Sequence, residues 1–138
     1  MKLSILKKSR PFIIHQPVEL YLSPSSIHGL GVFSHVPIKK GEVIEIAALL
    51  IGSAEDYDLL SKTALRDYYF IIADPTAPIA VGLGFASWYN HMCPANATYS
   101  IHKKKKTIRI KAKVDIEVGK EITINYHGTF NDNSLIEF

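Results

Sequence analysis

Residues 88–100 read WYNHMCPANATYS, so Asn90, His91 and Cys93 set an amide, an imidazole and a thiol within four positions. Such a group can ligate a metal, serve a cysteine nucleophile, or turn the backbone, and each reading needs partners elsewhere. The metal reading is weak. None of the six histidines shows the spacing of paired ligands on a helix, and His91 has no acidic or cysteine neighbour suited to zinc. Cys93 is the only cysteine, which excludes an intrachain disulfide and a cysteine-cluster zinc site. As a nucleophile it needs a separate activating histidine, and nothing singles one out. It reads instead as a small buried or half-buried side chain.

Two further stretches hold residue types that could do chemistry. In HGLGVFS, residues 28–34, Gly29 and Gly31 let a backbone approach a ligand closely or bulge a strand. The third glycine and following helix of a dinucleotide fingerprint are missing, so taken alone this is a turn. In VGKEITINYHGTF, residues 118–130, a strand leaves a glycine turn and ends at Tyr126, with Phe130 close behind. A lone tyrosine at a strand end is more often half-buried core than catalytic.

The elements that position these residues are mostly strands. VELYLS and VIEIAALLI are branched and apolar, bounded by Pro, Gly and Ser. ATYSIH and TIRIKAKV alternate, with Ala97, Tyr99 and Ile101 on one face matched by Ile108, Ile110, Ala112 and Val114, which predicts a hairpin with a charged tip. Turns fall at SPSS, IKKGE, ADPTAP and EVGKE. Helix is confined to short pieces in SAEDYDLLSKTALRDY and GFASWYNH. With 138 residues, 47% of them hydrophobic, there is material for one core, so residues 1–138 are expected to form a single mostly-β domain.

Location and charge narrow the partners. Lys7, Lys8 and Arg10 interrupt the apolar start of the chain, and VIEIAALLIG contains Glu45 and is too short to span a bilayer. The expectation is an intracellular protein with no membrane partner. The formal net charge is only +3, yet seven of the 16 basic residues lie in KKKKTIRIKAK, residues 103–113. A run such as Lys103, Lys104, Lys105 and Lys106 is either a solvated hairpin tip or a contact for nucleic acid or an acidic protein. No aromatic residues interleave with it to stack on single-stranded bases.

Taken in order, these stretches resemble the SET domain, the β-rich family of protein lysine methyltransferases. HGLGVFSHVPIKKGEVIEI is similar to its opening motif, NHMCPANAT to its Asn-His-Ser-Cys-x-Pro-Asn-Ala segment, and GKEITINY to its Gly-Glu-Glu-Leu-Thr-x-Asp-Tyr segment. ALRDYYF and GLGFASWYNH resemble the small stand-alone viral and bacterial members. The resemblance covers roughly residues 17–131, leaving 132–138 as a short flank. It departs from the pattern at Met92, at Pro94–Ala95, and at Asn125, where the family has aspartate.

The resemblance implies several small sheets, short helices and a knot-like threaded C-terminal segment. It implies S-adenosylmethionine as cofactor and no metal, with Asn90 and His91 on the methionine and adenine parts and Gly29, Leu30 and Gly31 along the other side. Tyr126 and Tyr68 would supply hydroxyls at the end of a lysine channel, with Ile124 in its wall and the degree of methylation open. No cysteine cluster follows the last motif, so Phe130, the final residues or a second subunit would complete the site, and a homodimer is one expectation. The implied substrate is a lysine on a histone tail or another basic, nucleic-acid-associated protein. The alternative is a non-catalytic SET-fold module that binds nucleic acid or acidic partners through the basic hairpin.

Overall fold

Alternation along Val43–Gly52 decides the architecture. In a strand, successive side chains point to opposite faces. Here Ala47 and Leu49 are buried on one side while Leu50 stays exposed on the other. The computed structural model describes Ile14 and residues 19–128. It contains nine strands: β1 Leu20–Pro24, β2 Leu30–Ser34, β3 Val43–Gly52, β4 Tyr69–Ile71, β5 Ile79–Gly82, β6 Asn90–His91, β7 Ala97–His102, β8 Thr107–Ala112 and β9 Thr123–Ile124. β1 and β2 form one antiparallel ribbon, five strands form a sheet in the order β4-β5-β3-β8-β7, and β6 pairs with β9 in parallel.

The β7–β8 hairpin has the predicted register, with Tyr99 opposite Ile110 and Ile101 opposite Ile108. β8 ends at Ala112, and Val114 lies beyond it, 44% exposed. The tip is a closed turn in which the Lys106 amide donates to Lys103 O at 3.1 Å. The stretch expected to hold a short helix gives two pieces. One is α1, Ala54–Leu60, capped by Ser53, whose hydroxyl accepts from the Asp56 amide while Asp56 accepts in return. The other is a single 3-10 turn, Ala64–Asp67, which delivers Tyr68 at its end. A second 3-10 turn, Ala86–Trp88, leads into β6.

One irregularity carries structure toward the site. The register of β3 on β8 shifts between Val43 and Glu45, and both Ile44 and Glu45 become buried. A bulge re-aims side chains in this way. The wholly buried Glu45 carboxylate accepts from the Phe85 amide at 2.9 Å and the Tyr89 hydroxyl at 3.0 Å. Burial raises the Glu45 pKa, and these two donors offset part of that cost. The segment that leads into β6 is thereby tied to the centre of the main sheet.

Candidate functional site

Two cavities meet at the end of β6. The first, about 510 Å³, is walled by rings from several elements, among them Tyr69 and Phe70 of β4, Tyr89 and Tyr99 of β7. The second, about 430 Å³, is lined by Ile27, His28, Leu30, Trp88, Asn90 and His91. Four residues line both: Asp67, Tyr68, Ser87 and Tyr126. The 3-10 turns bring Asp67, Tyr68 and Ser87 to this junction, and Tyr126 follows directly after β9 and Asn125.

Tyr126 is fixed at both ends. Its amide donates to His91 Nδ1 at 3.1 Å and its hydroxyl donates to Tyr89 O at 3.1 Å. The Tyr99 hydroxyl in turn donates to Tyr126 O at 3.1 Å. Burial, followed by the nearby Asp67 and Tyr68, pushes the Tyr126 phenol up to about 12, so it is a neutral hydroxyl. His91 accepts through Nδ1, which requires an imidazole unprotonated at that atom. Burial first, and His127 second, lower its pKa and favour that neutral form. His91 also packs against the Tyr126 ring at 5.3 Å.

Asn90, in the lining of the second cavity, gathers three acceptors. The Asn90 amide nitrogen lies 2.9 Å from His28 O, 3.1 Å from Leu30 O and 2.8 Å from Glu121 Oε1. One amide has two hydrogens for these three acceptors. Glu121 is further held by the Ser25 hydroxyl at 2.7 Å. A Cβ on Gly31 would collide with the Glu121 carboxylate. Gly29, at φ +48°, holds the left-handed turn ahead of β2, where L side chains are strained.

The comparisons with known proteins agree with this geometry. The SET-domain family model matches residues 29–127, which carry both cavities' shared residues and the Asn90–His91 segment. The chain belongs to the SET-domain family. A Schizosaccharomyces pombe relative, the H3 lysine-37 specific histone-lysine N-methyltransferase, is 28% identical over 125 residues, 88% of this chain and 82% of its own. The crystal structure of a Plasmodium falciparum candidate histone methyltransferase superposes with a TM-score of 0.63 and 31% identity, over 78% of this chain and 92% of that one. The ctPRC2 complex with H3K27me3 and H3K27M matches at 0.62 and 23% over 78% of this chain and 14% of the other, a likeness of fold alone. The protein is accordingly a protein-lysine N-methyltransferase of the family that uses S-adenosylmethionine.

Within this SET domain, Leu30, Asn90, His91, Tyr68 and Tyr126 of the expected site residues come together around the two cavities. Gly29 and Gly31 line neither; their neighbours His28 and Leu30 do, while Gly31 makes room for Glu121. Ile124 has no exposed surface and packs in the core, lining neither cavity. Tyr99 lines the first cavity. Phe130 lies outside the described residues. Asp67, Ser87, Trp88, Tyr89, Tyr99 and Glu121 were not singled out from sequence. Each lies in a stretch that was quoted: Asp67 in ALRDYYF, Ser87, Trp88 and Tyr89 in GLGFASWYNH, Tyr99 in ATYSIH and Glu121 in GKEITINY. Among the described residues no group of three or more His, Cys, Asp or Glu side chains could hold a metal ion, and no helix is long and apolar enough to cross a membrane.

Proposed function

We propose that the protein methylates the ε-amine of a lysine on a histone tail or a similar basic protein, with the lysine entering the aromatic cavity and S-adenosylmethionine occupying the other. The observation that carries this reading is the junction: two cavities of different chemistry share Tyr68, Tyr126, Asp67 and Ser87. The second cavity suits the cofactor's chemistry. His28 and Leu30 line it and carry carbonyl acceptors suited to an ammonium group, while Ile27, Leu30 and Trp88 offer apolar and aromatic surface for a purine. Bound S-adenosylmethionine supplies an electrophilic methyl group on a positively charged sulfur.

The chain's own residues do the rest. Asn90 and His91 hold the cofactor's body, with Leu30 along its other side and Gly29 and Gly31 shaping that wall. A lysine has a reference pKa of about 10.4, and only its neutral form is a nucleophile. The rings of Tyr69, Phe70, Tyr89 and Tyr99 disfavour the charged amine by desolvation. Tyr126, as a neutral hydroxyl, and Tyr68 beside it at the junction align the amine with the methyl carbon. Such alignment can supply roughly 7 to 11 kcal/mol of a barrier in favourable cases.

Calorimetry on chelator-treated protein tests the cofactor half directly. Saturable heat with S-adenosylmethionine and none with adenosine triphosphate is expected. No heat at high cofactor concentration would sink the proposal.

A further inference from the structure

The β7–β8 hairpin has a second face. Tyr99 and Ile110 turn inward, so their neighbours Ser100, Arg109 and Lys111 turn outward, with Ser100 opposite Arg109 and Thr98 opposite Lys111. Arg109 and Lys111 are exposed, as are the four lysines of the tip. Residues 103–113 hold seven basic residues and no acidic one, whereas the remainder of the chain holds nine basic against 13 acidic. The mild net charge therefore conceals a polarised molecule, with one cationic hairpin on an otherwise acidic chain.

We propose that this outer hairpin face, from Lys104 at the tip through Arg109 to Lys111, docks the phosphate backbone of double-stranded nucleic acid. Among the described residues, Lys104, Lys105, Lys106, Arg109 and Lys111 make no ion pair, while Lys103 is turned aside to Asp74 at 4.0 Å and Ala73 O at 3.5 Å. The tip holds a defined shape. The Lys105 amide donates to His102 Nδ1 at 3.3 Å, and Lys106 has φ +49°. Alternation spaces Arg109 and Lys111 by about 7 Å on one face of the strand, so both charges can meet the same backbone.

Duplex backbone is the partner these features favour. No Phe, Tyr or Trp lies on the outward side of β7 or β8, since Tyr99 points inward, and the one outward ring, His102, accepts from the Lys105 amide, so stacking on successive exposed bases has no platform. A flat sheet face also inserts nothing into a groove, so binding is expected to be indifferent to sequence. The substrate cavity opens on the opposite side of the same hairpin, through Tyr99. A basic protein already bound to the duplex would thus be held near the channel. That link to methylation rests on the function proposed above; the docking itself does not.

The test is fluorescence anisotropy with a labelled duplex of about 30 base pairs between about 50 and 200 mM salt, without cofactor and with Tyr126→Phe as well as wild type. With about five phosphates neutralised, log K is expected to fall against log salt with a slope of about −4.5. Arg109→Ser/Lys111→Ser should reduce that slope by about two. Adding Lys104→Ser, Lys105→Ser and Lys106→Ser should nearly abolish it. The hairpin variants at Arg109, Lys111, Lys104, Lys105 and Lys106 should melt like wild type and methylate a free peptide at its rate. Absence of salt-dependent binding, an unchanged slope in the variants, tighter binding to single strands, or equal competition by polyglutamate would each overturn the proposal. Because binding is read without cofactor, loss of methyl transfer on every substrate would strike the enzymatic reading and leave this one standing.

Discussion

The two faces of the β7–β8 hairpin differ in burial and charge. Inward, Tyr99 meets Tyr126 O and shares a cavity with the rings of Tyr68, Tyr69, Phe70 and Tyr89, with Arg66 and Asp67 the charged residues of its lining. Outward, Arg109 and Lys111 stand in water with the lysine tip. The same backbone carries both, since a strand's period of two sends adjacent residues to environments of opposite character. In the proposed function, desolvation works for the inner face, where a charged amine must lose its proton. It would work against the outer face, where charge has to persist until a polyanion replaces its counterions. The strand separates these demands without a second domain.

The largest effect expected on the inner face comes from Tyr126→Phe. The hydroxyl that donates to Tyr89 O sits at the cavity junction, and loss of one aligned donor of this kind typically costs about a hundredfold to a thousandfold in kcat. Cofactor affinity should stay near wild type, because Asn90 and its acceptors are untouched. A mutant that turned over like wild type would break the assignment.

Asn90→Ala should come next, and act on the other cavity. It strands the acceptors His28 O, Leu30 O and Glu121, a loss of about 1 to 3 kcal/mol. Cofactor Kd should rise roughly fivefold to a hundredfold, measured by calorimetry. Removing the Tyr99 hydroxyl is milder. Tyr99→Phe deletes one bond to Tyr126 O, about 0.5 to 1.5 kcal/mol, and denaturant titration should show a shift of that size with the fold retained. A larger loss would mean that the inner face depends on this strand beyond one hydrogen bond.

The smallest effect is a pH dependence. The folded pKa of His91 lies below its usual 6.5, so the unfolded chain takes up the proton first as pH falls. The stability this group contributes is therefore fully present above about 6.5 and is lost as pH drops through the lowered folded value. Protonation also removes the acceptor for the Tyr126 amide. Melting of wild type should fall more steeply below that point than melting of His91→Gln, while charge-removing variants of the outer face should leave the difference unchanged.

Much of this contrast was legible in the sequence, and the limits have a physical pattern. Alternation in ATYSIH and TIRIKAKV foretold the hairpin and put Tyr99 with Ile101, because pairing there is local. Tyr126 and Asn90–His91 were found because each sits in a contiguous motif. What escaped depended on contacts far apart in the chain. Glu121 bonds Ser25 across 96 positions and fills the space that Gly31 leaves open, so a glycine expected to face the cofactor faces a carboxylate. Glu45 reads as a charge interrupting an apolar run, and only the bulge against β8 turns it inward to Phe85 and Tyr89. Ile124 was expected in a channel wall from the family resemblance, but its strand pairs with β6 and buries it in the core, while Tyr99 lines the first cavity.

The central claim is that the junction of the two cavities transfers a methyl group to lysine. Incubating the protein with methyl-deuterated S-adenosylmethionine and a panel of histone-tail and other basic peptides, then locating label by mass spectrometry, tests it most directly. Label on lysine side-chain nitrogen, reduced to trace by Tyr126→Phe, is the predicted result. Saturating cofactor binding with no label on any lysine, or equal labelling by the variant, would contradict it.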